Sequence, residues 1–196
     1  MRGPRFAVIA AAMLIGLAGC ATAPTPVPSV PATPSTVASA PAPVPSGLAA
    51  PVEDPSLLSI LPATISGIPV KVEPDSFAGE LGDSTFVTNV AAAEFAVLVD
   101  GGDLASGMVA RLRPGVFTDT FFRDWRDSYD GGACLSAGGV VGNAQAPLGG
   151  RTVYITSCVG DIRAYHVWLE GRGVLISLFS TGPRRFGEQL MSGLRP

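Results

Sequence analysis

The sequence predicts an α+β domain in which helices pack on a mostly antiparallel sheet. Three observations lead to this prediction. Segments rich in Val, Ile, Tyr and Thr recur at short intervals in the C-terminal half, the connections between them contain glycine, and helical patterns lie on either side of them. Together these observations predict a C-terminal four-strand meander with two or three packed helices.

The meander is predicted from its strand segments and from the turns that separate them. Short connections that contain glycine favour hairpins, so consecutive strands are expected to pair with each other. The connections are Pro147-Leu148-Gly149-Gly150, Gly160-Asp161 and Gly171-Arg172-Gly173. The four strands are predicted over residues 140–146, 151–158, 163–170 and 174–179.

A helix is predicted before the meander. Thr118 is a favourable N-cap, and the helix is expected to run to about residue 130, where Gly131 and Gly132 end it. One side of this helix is aromatic, with Phe121, Phe122, Trp125 and Tyr129. The other side carries charges at i,i+4 spacing, which predicts a solvated face that pairs with itself through Asp119–Arg123, Arg123–Asp127 and Arg126–Asp130.

A second helix is predicted after the meander. Pro183 is favourable in a first helical turn, and Phe186, Leu190 and Leu194 recur at the spacing of one buried stripe. In the front part, strands are predicted over residues 66–72 and 106–113. Between them a short helix is expected to pass into a strand near Phe95. The order of elements resembles the PsbP/Mog1-like sandwiches and the cystatin- or NTF2-like folds, a likeness that implies fold alone.

The N-terminus has the three parts of a secretory signal. Arg2 and Arg5 form a positive region, residues 6–17 are almost continuously apolar, and small residues precede Cys20. The tetrapeptide Leu17-Ala18-Gly19-Cys20 resembles the lipobox of bacterial lipoproteins. That resemblance implies cleavage after a signal peptide of residues 1–19, with diacylglycerol on the Cys20 thiol and an acyl chain such as palmitate on the new N-terminus. The alternative is an ordinary secreted protein in which a cysteine falls at this position.

Residues 20–55 are predicted to be a disordered tether. They are rich in Pro, Ala, Ser and Thr and have few large apolar side chains with which to offset the loss of chain entropy. The interpretations left open are a plain spacer, a proline-rich ligand and an O-glycosylated stalk. Residues 56–196 are then one α+β domain of ordinary size.

The charge of the chain argues against nucleic acid as a partner. Without Arg2 and Arg5 the chain has 11 basic and 16 acidic residues, a net charge of about −5, and Lys71 is its one lysine. The expected partners are a membrane, through the lipid anchor, and a protein, peptide or other component of the cell envelope. The expected location is the extracytoplasmic side of the cell membrane or the outer membrane.

Two cysteines remain once Cys20 is lipidated. An even pair in an oxidising compartment predicts a disulfide between Cys134 and Cys158. Two separately buried thiols are the alternative. A redox-active pair is less favoured, because such cysteines usually lie close in sequence.

No catalytic motif, metal site or cofactor site is predicted. His166 is the one histidine, no Gly-x-Ser-x-Gly motif occurs, and the glycine-rich segments lack a phosphate-loop pattern. One histidine cannot supply a zinc cluster of the usual kind. We therefore predict no catalytic residue, no metal ligand and no cofactor.

Two candidate binding sites follow from the predicted elements. Strand alternation places His166 and Trp168 on one face, near Tyr154, and an uncovered face would suit ligand contact. If helices cover both faces, these are ordinary packed residues. The second candidate is an anion site at the turn of Thr181, Gly182, Arg184 and Arg185, for which ordinary helix capping with solvated arginines is the alternative.

The function expected from the sequence is a lipid-anchored binding or interaction module outside the cytoplasm. The alternatives are an envelope enzyme of hydrolase type without a recognisable motif, and a structural or accessory envelope lipoprotein. The domain is expected not to be an enzyme, because the residue types that catalysis needs are scarce in it.

Overall fold

A computed structural model of the protein describes residues 47–195. The signal peptide predicted over residues 1–19, the lipidated Cys20 and most of the predicted tether lie outside the described residues. The described part is mixed α+β, with a mostly antiparallel sheet and a C-terminal meander, so the predicted fold class is confirmed.

The main sheet has eight strands. Its order is β1-β5-β6-β10-β9-β8-β7, and β4 pairs with β5 beside that path. Only β1 and β5 pair in parallel. The strands are β1 (Val52–Glu53), β4 (Lys71–Val72), β5 (Val90–Asp100), β6 (Asp103–Leu112), β7 (Val140–Leu148), β8 (Arg151–Cys158), β9 (Arg163–Leu169) and β10 (Val174–Thr181), and a separate hairpin is formed by β2 (Thr64–Ile65) and β3 (Ile68–Pro69).

Helices lie against both faces of the sheet. The described α-helices are α1 (Ser76–Glu80), α2 (Ser84–Asn89), α3 (Asp119–Leu135) and α4 (Phe186–Ser192), and 3-10 turns occur at Pro55–Ile60 and Glu170–Arg172. On one face, α4 and the first 3-10 turn pack against Tyr165, Val167 and Ile176. On the other face, α1, α2 and α3 cover a second apolar cluster around Phe95, which separates the core into two layers.

The meander forms as predicted, and its two inner strands β9 and β10 send side chains into both layers. Residues 174–178 of β10 are all buried, since successive side chains enter opposite layers and both layers are covered. The predicted stripe of Phe186, Leu190 and Leu194 is buried, although α4 ends at Ser192 and Leu194 lies just beyond it. Helix α4 begins at Phe186 rather than at Pro183, because Arg185 takes a left-handed conformation just before it.

The prediction that Gly131 and Gly132 end the aromatic helix is wrong. Helix α3 continues through both glycines to Leu135, with Thr118 as the expected N-cap. Its last turn is held to the sheet by the disulfide between Cys134 and Cys158, which confirms the predicted pairing. The bond joins residues 24 apart, and closing a loop of that length stabilises a fold by about 3.5 kcal/mol in the chain-entropy account.

In the part of the domain before α3, the boundaries between helices and strands differ from the prediction. The helix-to-strand change occurs at Val90 rather than near Phe95, and β5 turns directly into β6 through Gly101 and Gly102. Gly101 takes a positive φ of 63°, which a two-residue hairpin connection of this kind requires. Of the strand predicted over residues 66–72, Ser66 and Gly67 form a turn with positive φ, and the rest is divided into the short strands β3 and β4.

The sheet includes residues that precede the predicted start of the domain at residue 56. Val52 and Glu53 pair with β5, and the Asp54 amide donates to the carbonyl of Ala93 at 3.1 Å. This edge pairing uses backbone groups alone. A Pro- and Ala-rich composition therefore gives no sign of it.

Candidate functional site

A cleft of about 940 Å³ opens between two groups of helices on the α3 face of the sheet. Its floor is formed by side chains of β5, β6 and β10, among them Phe95, Met108 and Phe179. One wall is α3, and the opposite wall is built from α1, α2 and the segment before them. The volume is within the range typical of small-molecule sites in proteins.

The α3 wall is aromatic. Phe121, Trp125 and Tyr129 line the cleft at spacings of four residues, which places them on one side of the helix. The rings of Phe121 and Trp125 lie 5.7 Å apart, and Tyr129 meets the ring of His166 edge-on at 5.3 Å. The predicted aromatic side of this helix therefore faces the cleft and the sheet below it.

Beneath this wall runs a chain of buried polar side chains. The indole N–H of Trp125 donates to Ser177 Oγ at 3.0 Å, and Ser177 Oγ lies 2.9 Å from His166 Nδ1. His166 Nε2 lies 2.9 Å from Asp130 Oδ1. Thr156 donates its hydroxyl proton to the other carboxylate oxygen of Asp130 at 2.5 Å.

The direction of two of these contacts follows from the groups involved. The Trp125 indole N–H can only donate, so Ser177 Oγ accepts from it. The carboxylate of Asp130 accepts, so His166 Nε2 is its donor. Each donor has an acceptor in this arrangement, and its result is to hold Trp125 in place beside the cleft.

Ser177, His166 and Asp130 are joined in the residue order of serine hydrolases, but with the ring nitrogens exchanged: Ser177 contacts Nδ1 and Asp130 contacts Nε2, whereas the hydrolase serine contacts Nε2. A nucleophile must reach the substrate, however, and the side chains of Ser177 and His166 are both 0% exposed. The Ser177 oxygen is also occupied by the Trp125 N–H. In this arrangement the three side chains position the aromatic wall and offer no surface to a substrate.

The wall opposite α3 is acidic. Glu73, Glu80 and Asp83 line it, and Asp124 adds a carboxylate at the rim of α3. The hydroxyl of Ser106 donates to Glu73 at 2.5 Å, and Asp83 caps α2 by accepting from the amides of Thr85 and Phe86. Among the described residues that line the cleft, none is Lys, Arg or His.

The carboxylates of this wall are close enough to affect one another and the aromatic wall. Burial, and then the charge of Asp83, raises the pKa of Glu80 above its ordinary value. Burial raises the pKa of Tyr129, and the charges of Asp130, Glu73 and Glu80 raise it further. The cleft therefore carries a negative potential that reaches across to α3.

The structure brings the three residues of the predicted ligand face together, with His166 buried and the other two half-buried. Tyr154 is paired opposite His166 on β8 and β9, and both lie on the α3 face of the sheet with Trp168. Trp168 stacks on Phe117 at 4.1 Å, and the Arg126 guanidinium lies 4.1 Å over the ring of Tyr154. His166 is therefore a packed residue, whereas Tyr154 and Trp168 are only partly covered.

At the predicted anion site the structure places carboxylates of the protein itself. The Arg184 amide donates to Asp103 Oδ1 at 2.8 Å, and its guanidinium pairs with Asp100. Arg185 pairs with Glu188 at 3.6 Å. Gly182 has a φ of 97°, and an added Cβ would lie 2.3 Å from Asp103 Oδ1, so the turn is packed directly on that carboxylate. Thr181, the first residue of the predicted site, ends β10 opposite Leu104.

Asp130 is the main residue of this region that the sequence interpretation misplaced. The sequence predicts it on a solvated helix face in a pair with Arg126, but its side chain is 8% exposed and its carboxylate contacts His166 and Thr156. Arg126 lies over Tyr154 instead, and Arg123 pairs with its neighbour Asp124. No sequence signal marks Asp130 as different from the other aspartates of the helix. Its burial follows from where α3 lies on the sheet.

The described part of the chain has neither a metal-binding cluster nor a membrane-spanning helix. Within residues 47–195, no group of three or more His, Cys, Asp or Glu side chains is arranged to hold a metal ion. No helix in that range is long and apolar enough to cross a membrane. Comparisons with protein-family models, with curated proteins and with solved structures find no match to this chain.

Proposed function

We propose that this protein is a lipid-anchored binding module outside the cytoplasm, and that its ligand binds in the cleft between α3 and the α1–α2 wall. The observation that carries the binding role is the cleft itself, about 940 Å³ in volume and lined by aromatic and carboxylate side chains. The lipobox-like Leu17-Ala18-Gly19-Cys20 supports the anchor. A domain held on a membrane in this way would present its cleft to the surrounding envelope.

The construction of the aromatic wall supports binding rather than turnover. Ligand sites combine apolar rings with a small number of fixed polar groups. Here Trp125 is held by Ser177, and Tyr129 rests against His166, so the rings are positioned before any ligand arrives. A preorganised wall lowers the entropy that binding must overcome.

Two adjacent glycines of α3 provide a matched test of the site. Gly132 lines the cleft and Gly131 does not, and an added Cβ at either position meets no atom within 4 Å. We expect Gly132→Phe to fill the cleft and to abolish the fluorescence increase of the neutral dye N-phenyl-1-naphthylamine. Gly131→Phe, with the same change in helix propensity, should bind the dye as the parent protein does.

Ser128→Phe extends the test from a different position, because Ser128 also lines the cleft. Circular dichroism and the thermal midpoint of each variant establish that it is folded. Equal dye binding by the parent protein and by both folded cleft variants would contradict the proposed site.

A hydrolase is the second candidate, and the Ser177–His166–Asp130 chain is the specific observation in its favour. A fluorophosphonate probe reacts with an activated serine that it can reach. Because Ser177 is fully buried, we expect no labelling of the folded protein. Labelling that disappears in Ser177→Ala would replace the binding proposal with an enzymatic one.

A further inference from the structure

We infer that the cleft selects organic cations, specifically amines or quaternary ammonium compounds that carry an apolar group. This inference rests on the proposed function, because it names the class of ligand for the same cleft. It is carried by the combination of an acidic wall, an aromatic wall and a space too large for a metal ion alone.

The first part of the argument is charge. Glu73, Glu80 and Asp83 bring three carboxylates to one wall, and none of them forms a salt bridge within the described residues. Glu73 and Glu80 are half-buried and Asp83 is exposed, and the charge of Asp83 acts on Glu80. Like charges held near one another raise the free energy of the empty site. A bound cation would relieve that repulsion, whereas a bound anion would add to it.

The second part is the aromatic wall facing these carboxylates. Trp125 and Tyr129 line the cleft, and aromatic faces attract cations, with Trp the most favourable. Each ring also offers apolar area for the uncharged part of a ligand. Tyr129 also carries a hydroxyl, which adds a polar group to this wall of the cleft.

The third part is size and spacing. No group of three or more carboxylates or other metal-binding side chains in the described part is arranged to coordinate an ion. The carboxylates therefore act on a ligand as a diffuse negative field. A volume of about 940 Å³ leaves space for an apolar group on the aromatic side of the same molecule.

The test uses three probes with the same aromatic tail and different head groups: 4-phenylbutylamine, 4-phenyl-1-butanol and 4-phenylbutanoate. Each competes with N-phenyl-1-naphthylamine for the full-length protein, and calorimetry with the amine measures binding directly. We expect the amine to bind about tenfold more tightly than the alcohol, equivalent to ~1.4 kcal/mol, and the carboxylate to bind most weakly. The preference should fall at high salt, because salt partly screens the attraction between the amine and the carboxylates.

Two isosteric substitutions connect this preference to the acidic wall. Glu73→Gln and Glu80→Gln each remove one charge without changing shape, and each should reduce the preference for the amine over the alcohol. The matched control is Glu53→Gln, because Glu53 is exposed on β1 and is not part of the cleft. Its preference should equal that of the parent protein.

The outcomes separate this inference from the proposed function. If the dye binds in the cleft but the amine binds no better than the alcohol, the cation preference is overturned and the binding site remains. If neither the dye nor the amine binds, both are overturned. If the amine binds and its binding is lost in Gly132→Phe but kept in Gly131→Phe, both are supported even when the neutral dye does not bind.

Discussion

At the scale of single residues, Ser177 joins two parts of the hydrogen-bond chain. Its oxygen accepts the Trp125 indole proton at 3.0 Å and lies 2.9 Å from His166 Nδ1. Ser177 and His166 are fully buried, so the His166 ring nitrogen has no water to turn to if the serine is lost.

We therefore expect Ser177→Ala to lower the free energy of unfolding by about 1–3 kcal/mol, the usual penalty for leaving buried polar groups without partners. Urea unfolding measures this change. The same substitution at the exposed Ser128 is the control and should change stability little. An unchanged unfolding free energy for Ser177→Ala would contradict the hydrogen-bond chain described above.

At the scale of elements, glycines within helices have opposite roles in α3 and α4. Gly131 lies in the interior of α3, and an added Cβ there meets nothing within 4 Å. Gly187 lies in α4, where an added Cβ would be 2.3 Å from the ring of Tyr165. Gly131 is a poor helix former at a position where nothing requires a glycine. Gly187 is required, because α4 packs closely on β9.

We expect Gly131→Ala to raise the free energy of unfolding by about 0.5–1 kcal/mol, because alanine is the better helix former and has space. Gly187→Ala should lower it by about 1–3 kcal/mol, because the methyl group overpacks the contact with Tyr165. Chemical denaturation of the two variants beside the parent protein provides the measurement. A destabilised Gly131→Ala would indicate that α3 ends before this residue.

At the scale of the whole molecule, the proposed anchor and the folded domain are separable. The disulfide and both core layers lie within the described residues, whereas Cys20 lies far before them in sequence. Loss of the anchor should therefore change location without changing the fold. Lipid chains bind a protein to a membrane through the burial of their methylene groups, at roughly 0.8 kcal/mol each.

We expect Cys20→Ala, expressed in a bacterial host that processes lipoproteins, to move the protein from the membrane fraction to the soluble fraction and to abolish incorporation of labelled palmitate. The thermal midpoint of the domain should stay the same. Cys134→Ala is the contrasting variant, since it should remain on the membrane while its thermal midpoint falls. Membrane association and labelling of Cys20→Ala would contradict the lipobox interpretation.

Local sequence patterns were enough to predict the meander, the disulfide pair, the cap of α3 and the buried stripe that begins on α4. These features depend on patterns within a few residues, such as strand alternation, glycine turns, an even number of cysteines and i,i+4 spacing. Where local signals conflicted, as at Gly131 and Gly132 or near Val90, the boundary was set by packing and pairing with distant strands.

Which surfaces are covered and which remain open depends on how the helices pack on the sheet. The position of α3 on the sheet buries Asp130, His166 and Ser177 in one hydrogen-bond chain and leaves a cleft opposite Glu73 and Glu80. Periodicity shows which side chains share a face, but it does not show what lies against that face. The proposed binding site arises from contacts between segments far apart in sequence, and no local pattern records them.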